Sequence, residues 1–173
     1  KIISGVFVSA YVARYLGVES FGLFSYVLAC FVIFESIGKS GVENIFIRHY
    51  IDKKQSEEVL RSYLFYRLLT GTLVFILLFV YSFNVSDKTI SYGLKILSFV
   101  FLFQPLEIFE HVFQARVEMK KISLFKGALT AIFAVVKLLA IYMTSDITVF
   151  FFIFGLEKVF GFLGGFFFRY SKL

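Results

Sequence analysis

The chain has 173 residues, 59% of them hydrophobic and 21% aromatic, with 26 Phe and a formal charge of +6; its mean hydropathy is +0.84. A water-soluble domain of this length has too little interior to hide so much apolar surface, so a soluble globular protein is excluded. A transmembrane barrel would show ~10-residue stretches alternating apolar and polar, and no such stretch is present.

Six apolar runs follow one another, at 2–16, 22–47, 63–83, 90–113, 122–143 and 148–168. All but the first are long enough to cross a hydrocarbon core of about 30 Å as a helix, and a helix satisfies its backbone groups within its own segment. The expected fold is an all-α integral membrane bundle of six transmembrane helices. Gly17-Val18-Glu19-Ser20 is expected to turn the chain between the first two runs. Asn84–Thr89 does so between the third and fourth, with Asn84, Ser86 and Asp87 as turn and cap residues. Thr144-Ser145-Asp146 links the last two. The connections on the other side are longer and charged. In one of them Ser56, Glu57 and Glu58 read as a helix start. Pro105, the single proline, falls within the fourth run and is expected to kink it. Gly161 and Gly165 form a G-x-x-x-G with Gly164 between them, a spacing that permits close helix packing. No loop is long enough to fold as a separate domain.

Charge placement sets the expected topology. Arg48, Lys53, Lys54, Arg61, Arg67, Arg116, Lys120, Lys121 and Lys126 fall on alternate connections, joined by Lys1, Arg169 and Lys172 at the ends. Only Arg14, Lys88 and Lys95 lie on the other side. Twelve basic residues against three is the positive-inside bias, which puts both ends in the cytoplasm. The basic excess is therefore topology and not a nucleic-acid surface. The chain starts at Lys1 without an initiator Met, and its first run is short; it reads as a fragment that lacks a few residues in front and an unknown length behind. No small-residue cleavage motif marks a signal peptide.

Charged residues inside the runs need a reason, since each costs roughly 2.5–3.5 kcal/mol near the bilayer centre. Glu35, Lys39 and Glu43 stand four residues apart in the second run, hence on one face of a continuous helix, broadened by Ser36, Ser40 and Asn44. Lys137 lies in the fifth run, and Glu157 and Lys158 in the sixth. Glu107, Glu110 and His111 sit nearer the cytoplasmic end of the fourth, with His111 expected as an interfacial polar residue. These groups either pair to hold the bundle together or line a hydrated cavity for a polar solute; the cavity is the preferred reading. Lys39, Lys137 and Lys158 are offset by Glu35, Glu107 and Glu157, so composition does not make that cavity cationic. No metal site is expected: a helical zinc motif needs two His at i,i+4 around a Glu, and His111 stands alone while His49 lies at a loop edge. Cys30 is single, and no cofactor motif, phosphate loop or nucleophile elbow is present.

Two segments resemble a known family. Ala13-Arg14-Tyr15-Leu16-Gly17-Val18-Glu19-Ser20-Phe21-Gly22 is similar to the A-R-x-L-G-P-x-x-F-G segment that ends the first helix of polysaccharide exporters, with Val18 in place of the usual proline. Gly41-Val42-Glu43-Asn44-Ile45-Phe46-Ile47-Arg48 is similar to their G-L-x-x-x-x-x-R stretch. The family is the O-antigen and repeat-unit flippases (Wzx type) of the multidrug/oligosaccharidyl-lipid/polysaccharide exporter superfamily. The resemblance implies two six-helix lobes rocking around a central cavity, this chain being the amino-terminal lobe. It also implies an undecaprenyl-pyrophosphate-linked oligosaccharide, as in O-antigen and lipopolysaccharide assembly, moved across a bacterial inner membrane without any bond being made or broken. Arg14 is the one contact carried over by motif.

On this reading Arg14, Lys39, Lys137 and Lys158 bind the anionic substrate. Glu35 and Glu157 tune those cations or carry a coupling ion, H+ or Na+. The partners are the lipid-linked oligosaccharide and membrane lipids, with no nucleic acid. The rival readings are a cation-coupled multidrug exporter of the same superfamily, a membrane-embedded glycan polymerase or transferase, and a non-transporting scaffold.

Overall fold

A computed structural model describes residues 2–39, 41–52, 56–144 and 146–170, with the side chains of 2–13, 16 and 168–170 outside the description. Lys1, Lys53, Lys54 and Lys172 of the charge count lie outside the described residues, as do Ser40 and Ser145 and the side chain of Arg169. The described residues are helical without strands: α1 (Ile2–Lys39), α2 (Glu43–Asp52), α3 (Glu57–Phe83), α4 (Lys88–Ser98), α5 (Ile108–Ala115), α6 (Met119–Met143) and α7 (Ile147–Tyr170). Two 3-10 turns, Phe99–Leu102 and Gln104–Glu107, join α4 to α5. Four stretches are long and apolar enough to span a membrane, Gly17–Asp52, Glu57–Phe83, Met119–Met143 and Ile147–Phe167. The bent pair Lys88–Leu102 and Gln104–Ala115 makes a fifth, and the helix before Gly17 fits as a sixth. The protein is an all-α, multi-pass membrane bundle.

The sequence boundaries shift at two helix breaks and one turn. Gly17 has φ 81° and ψ 163°, a conformation open to glycine, and it alone interrupts α1; the expected four-residue turn shrinks to one residue because Val18–Ser20 are already helical. The second run carries a local break inside one candidate span, Gly17–Asp52: α1 stops at Lys39, Gly41 takes φ 68°, and α2 starts at Glu43. The fourth run bends by 47° between Leu102 and Gln104. Pro105 lacks an N–H, so the local backbone closes instead through i→i+3 bonds, Phe103 N to Val100 O at 3.1 Å and Leu106 N to Phe103 O at 3.0 Å. The kink expected from this proline is present. Ser56 and Asp87 cap α3 and α4 by accepting from Glu58 N at 3.3 Å and Ile90 N at 3.0 Å.

Packing divides into two main cores. One lies away from the basic connections and joins Val27 and Phe31 of α1, Val74 and Leu78 of α3, Leu94 and Leu97 of α4, and Phe151 of α7. Glycines let this core close. A Cβ on Gly71 would stand 2.8 Å from Phe101 O, and one on Gly93 would meet the Phe151 ring at 2.7 Å. The second core, at the basic end, joins Phe46 and Tyr50 of α2, Leu60 and Tyr63 of α3, and Ile108, Phe109 and Val112 of α5. The two cores meet at the level of the broken helices. In the G-x-x-x-G of α7, Gly165 makes the close approach, 3.0 Å from Glu110 N for an added Cβ, while Gly161 has open space around it.

Candidate substrate cavity

Charged side chains fill the boundary between the cores, and nearly all are paired. Glu35, in the buried stripe of α1, accepts from Lys39 at 3.1 Å and from Lys158 of α7 at 3.2 Å. Lys39 reaches on to Glu107 at 3.7 Å, and Glu107 receives Arg67 of α3 at 2.9 Å. Arg67 also donates to Glu43 of α2 at 3.3 Å and to the carbonyl of Gly38 at 3.3 Å, with Nε2 of His111 3.5 Å away. That carbonyl lies in the last turn of α1, where helix carbonyls lose their regular N–H partners. The result is a line of alternating charge, Lys158–Glu35–Lys39–Glu107–Arg67–Glu43, that crosses α7, α1, the 3-10 stretch, α3 and α2. Lys137 of α6 pairs separately with Glu157 of α7 at 2.5 Å, and Lys126 pairs with Glu110.

One side of this line opens into a cavity of about 290 Å³. Glu35, Lys39, Glu107, Lys126, Glu157 and Lys158 supply its charges, Thr130 adds a hydroxyl, and Phe154, Phe162 and Gly161 complete the wall. Three cations face three anions, with Lys126 in the lining where Lys137 was expected. Lys39 is 37% exposed and Lys158 33%, against 11% for Glu35 and Glu107, so the ammonium groups lean into the open space and the carboxylates hold them from behind. Aromatic faces assist: Lys158 lies 5.4 Å from the Phe31 centroid and 5.7 Å from that of Phe154, which also faces Lys137 at 5.8 Å.

The structure thus brings Glu35, Lys39, Glu157 and Lys158 together and sets Lys137 just behind them through Glu157. It does not bring in Arg14, which is exposed and does not line the cavity. Three expectations are corrected. Glu43 does not share a helical face with Glu35 and Lys39, because the helix breaks between them, and it meets Arg67 instead. His111 is buried at 5% exposure rather than interfacial, wedged beside Arg67 and the ring of Tyr63. Arg67 is not a loop charge. It is 1% exposed and belongs to the buried stripe Leu60, Tyr63, Arg67, Gly71, Val74, Leu78 and Ser82 of α3. That three- and four-residue spacing was available in the sequence; counting Arg67 with its neighbours Arg61 and Lys54 hid it. Glu43, Glu107 and His111 present ligand atoms within 4.8 Å of one another. The Arg67 guanidinium stands among them, filling with its own charge the place a metal cation would take.

A family profile described as polysaccharide biosynthesis protein matches residues 1–172. The chain belongs to that family. No match was found among curated proteins or among solved structures. Membership ties this multi-pass membrane bundle to polysaccharide biosynthesis. A polysaccharide biosynthesis protein with a charged cavity inside its membrane helices has a place for a polar group that the surrounding lipid would reject.

Proposed function

We propose that this bundle is one lobe of an alternating-access flippase that moves an undecaprenyl-pyrophosphate-linked oligosaccharide across the bacterial inner membrane. The observation that carries the reading is the half-open cavity of paired charges within a membrane-spanning bundle of this family. The basic end faces the cytoplasm on this reading, as the positive-inside bias predicts. The lipid tail stays in the bilayer while the head group crosses through the interior, and no bond is made or broken. The substrate is of the kind used in O-antigen assembly, as the segments around Arg14 and Gly41 suggest.

The geometry supports a specific role for Glu35. One carboxylate holds two lysines, Lys39 and Lys158. An arriving pyrophosphate competes with it for both ammonium groups, and a proton on Glu35 releases both at once. Glu35 is therefore the proposed coupling carboxylate for H+, with Glu157 and Lys137 as a second pair that exchanges in the same way. Arg14 enters by motif as an outer contact. Transport follows from the exchange of partners, since a neutral cavity holds a dianion only while its own carboxylates let go.

Alanine at Lys39, Lys137 and Lys158 together should abolish glycan export in a strain lacking the protein, with membrane levels of the protein checked by immunoblot. Full export by that triple variant sinks the assignment. Glu35→Gln should leave binding of the lipid-linked substrate intact and remove the dependence of its transport on a proton gradient. The multidrug-exporter alternative calls for a cavity dominated by acidic groups; the equal balance of three cations and three anions leaves it open, and a drug-efflux assay in a sensitive strain separates the two.

A further inference from the structure

On the face of α7 turned away from the charged cavity lies a second hollow, of about 330 Å³ and almost wholly apolar. Phe99, Val100 and Phe103 of the 3-10 stretch form one wall and Phe152, Leu156 and Val159 of α7 the other. The hollow lies beside the 47° bend of the fourth span, where Gly155, whose added Cβ would touch Val100 at 3.5 Å, brings α7 close to the 3-10 stretch. Lys95 stands at its rim. Its ammonium sits 4.4 Å from the Phe83 ring centroid and 5.6 Å from that of Tyr92. Among the described residues no carboxylate lies within ion-pair distance of it, unlike Lys39, Lys126, Lys137 and Lys158.

We propose that this hollow is a binding site for an anionic phospholipid of the bilayer, with an acyl chain between Phe103 and Leu156 and the headgroup phosphate on Lys95. An apolar slot with one cation at its rim is complementary to an amphiphile with one negative head. A neutral tail alone leaves the lysine without an anion in a poorly solvated place, and a soluble anion leaves the slot empty. α7 separates the hollow from the cavity of Glu35 and Lys158, so the two are distinct places on the bundle. The inference stands apart from the flippase reading and concerns a resident lipid. A strip on α3 lined by Leu69, Leu73 and Leu77 is also concave and apolar, about 500 Å³, but carries no cation; it serves as an internal control.

The test places the photo-crosslinker p-benzoyl-phenylalanine at Leu156 or, as control, at Leu73, in the full chain in vesicles of phosphatidylglycerol and phosphatidylcholine, with adducts identified by mass spectrometry. At position 156 phosphatidylglycerol adducts should exceed their bulk share about fivefold, the discrimination one lysine gives an anionic head near the membrane surface. At position 73 the adducts should follow the bulk mixture. Lys95→Gln should bring position 156 to the bulk ratio, and Lys95→Arg should keep the enrichment. Bulk proportions at 156 in the unaltered Lys95 background overturn the site, and so does enrichment that survives Lys95→Gln. Adducts with polypeptide in place of lipid also overturn it, marking the hollow as a protein interface. Should Lys95→Gln fail to accumulate, the comparison of 156 with 73 and the Lys95→Arg variant still decide.

Discussion

The two cores of this bundle are built on different chemistry although α3 and α7 run through both. Away from the basic end, Phe31 stacks on Phe101 at 4.9 Å and meets Phe154 edge-on at 5.8 Å, with Val27, Leu78, Leu94 and Leu97 fully buried around them. At the basic end the aromatic stack of Phe46 on Tyr63, at 4.2 Å, lies against a buried guanidinium and its carboxylates. In the first region the fourth span passes into its 3-10 stretch, which supplies Val100 and Phe101 to the core, and the second region holds the break between α1 and α2. The difference shows where a membrane helix can end without water: the freed carbonyl of Gly38 is taken up by Arg67, and the same side chain reaches Glu107 at the end of the 3-10 stretch and Glu43 at the start of α2. Arg67 is the group that touches both breaks, by a backbone carbonyl at one and a carboxylate at the other.

The contrast is broken most severely at that residue. Arg67→Met leaves Glu107 with only the longer contact to Lys39 and the part-exposed Glu43 without its arginine, and should cost about 3 kcal/mol, the low end of the usual penalty for removing one partner of a buried pair. Thermal unfolding in mild detergent reads the loss, and adding Glu107→Gln should recover part of it. An unchanged midpoint in Arg67→Met contradicts the view that this side chain ties the breaks together.

Phe31→Ala should cost less. Deleting a buried Phe from a water-soluble core costs ~3–5 kcal/mol, but here the unfolded helices already lie in hydrocarbon, so the packing loss that remains is about 2 kcal/mol. If it equals Arg67→Met in the same assay, the two regions do not differ in the way described. Of similar size is Gly71→Ala. Its Cβ would press on Phe101 O at 2.8 Å, forcing α3 away from the 3-10 stretch at about 1–3 kcal/mol of overpacking. Gly127→Ala on α6, with open space around the new methyl, should be neutral or gain up to about 1 kcal/mol in helix propensity. Equal effects at the two glycines point away from a tight crossing at Gly71.

The apolar region was legible in the sequence because hydropathy reports membrane spans directly, and the kink at Pro105 and the caps at Ser56 and Asp87 follow from single residue types. The charged region was legible in part. That Glu35, Lys39, Lys137, Glu157 and Lys158 occupy the interior followed from the cost of exposing them to lipid. Which of them pair did not, since the partners lie on helices far apart in the chain, as Lys158 and Glu35 do. The break before Glu43 was missed because its apolar flanks, Ile37 and Val42, prolong the hydropathy signal across it. Arg14 shows the opposite limit: a motif position can be recognised with no indication of what its side chain touches.

The weakest effect sharpens the comparison from outside both cores. Arg61 lies on α3 only six residues before Arg67 and also faces a carboxylate, Glu57 at 4.0 Å, so a tally of ion pairs would treat the two arginines alike. Their surroundings differ: Arg61 and Glu57 are 84% and 74% exposed, against 1% and 11% for Arg67 and Glu107. In water-like surroundings the attraction is screened and the ordering of two long side chains offsets it, so Arg61→Ala should change stability by no more than about 0.5 kcal/mol. Raising the salt concentration should shrink that difference further while leaving the Arg67→Met loss largely in place, because the buried pair is shielded from ions. A large, salt-resistant loss in Arg61→Ala would mean that the start of α3 is packed against something, protein or lipid headgroup, that makes its charge as consequential as the one buried below it.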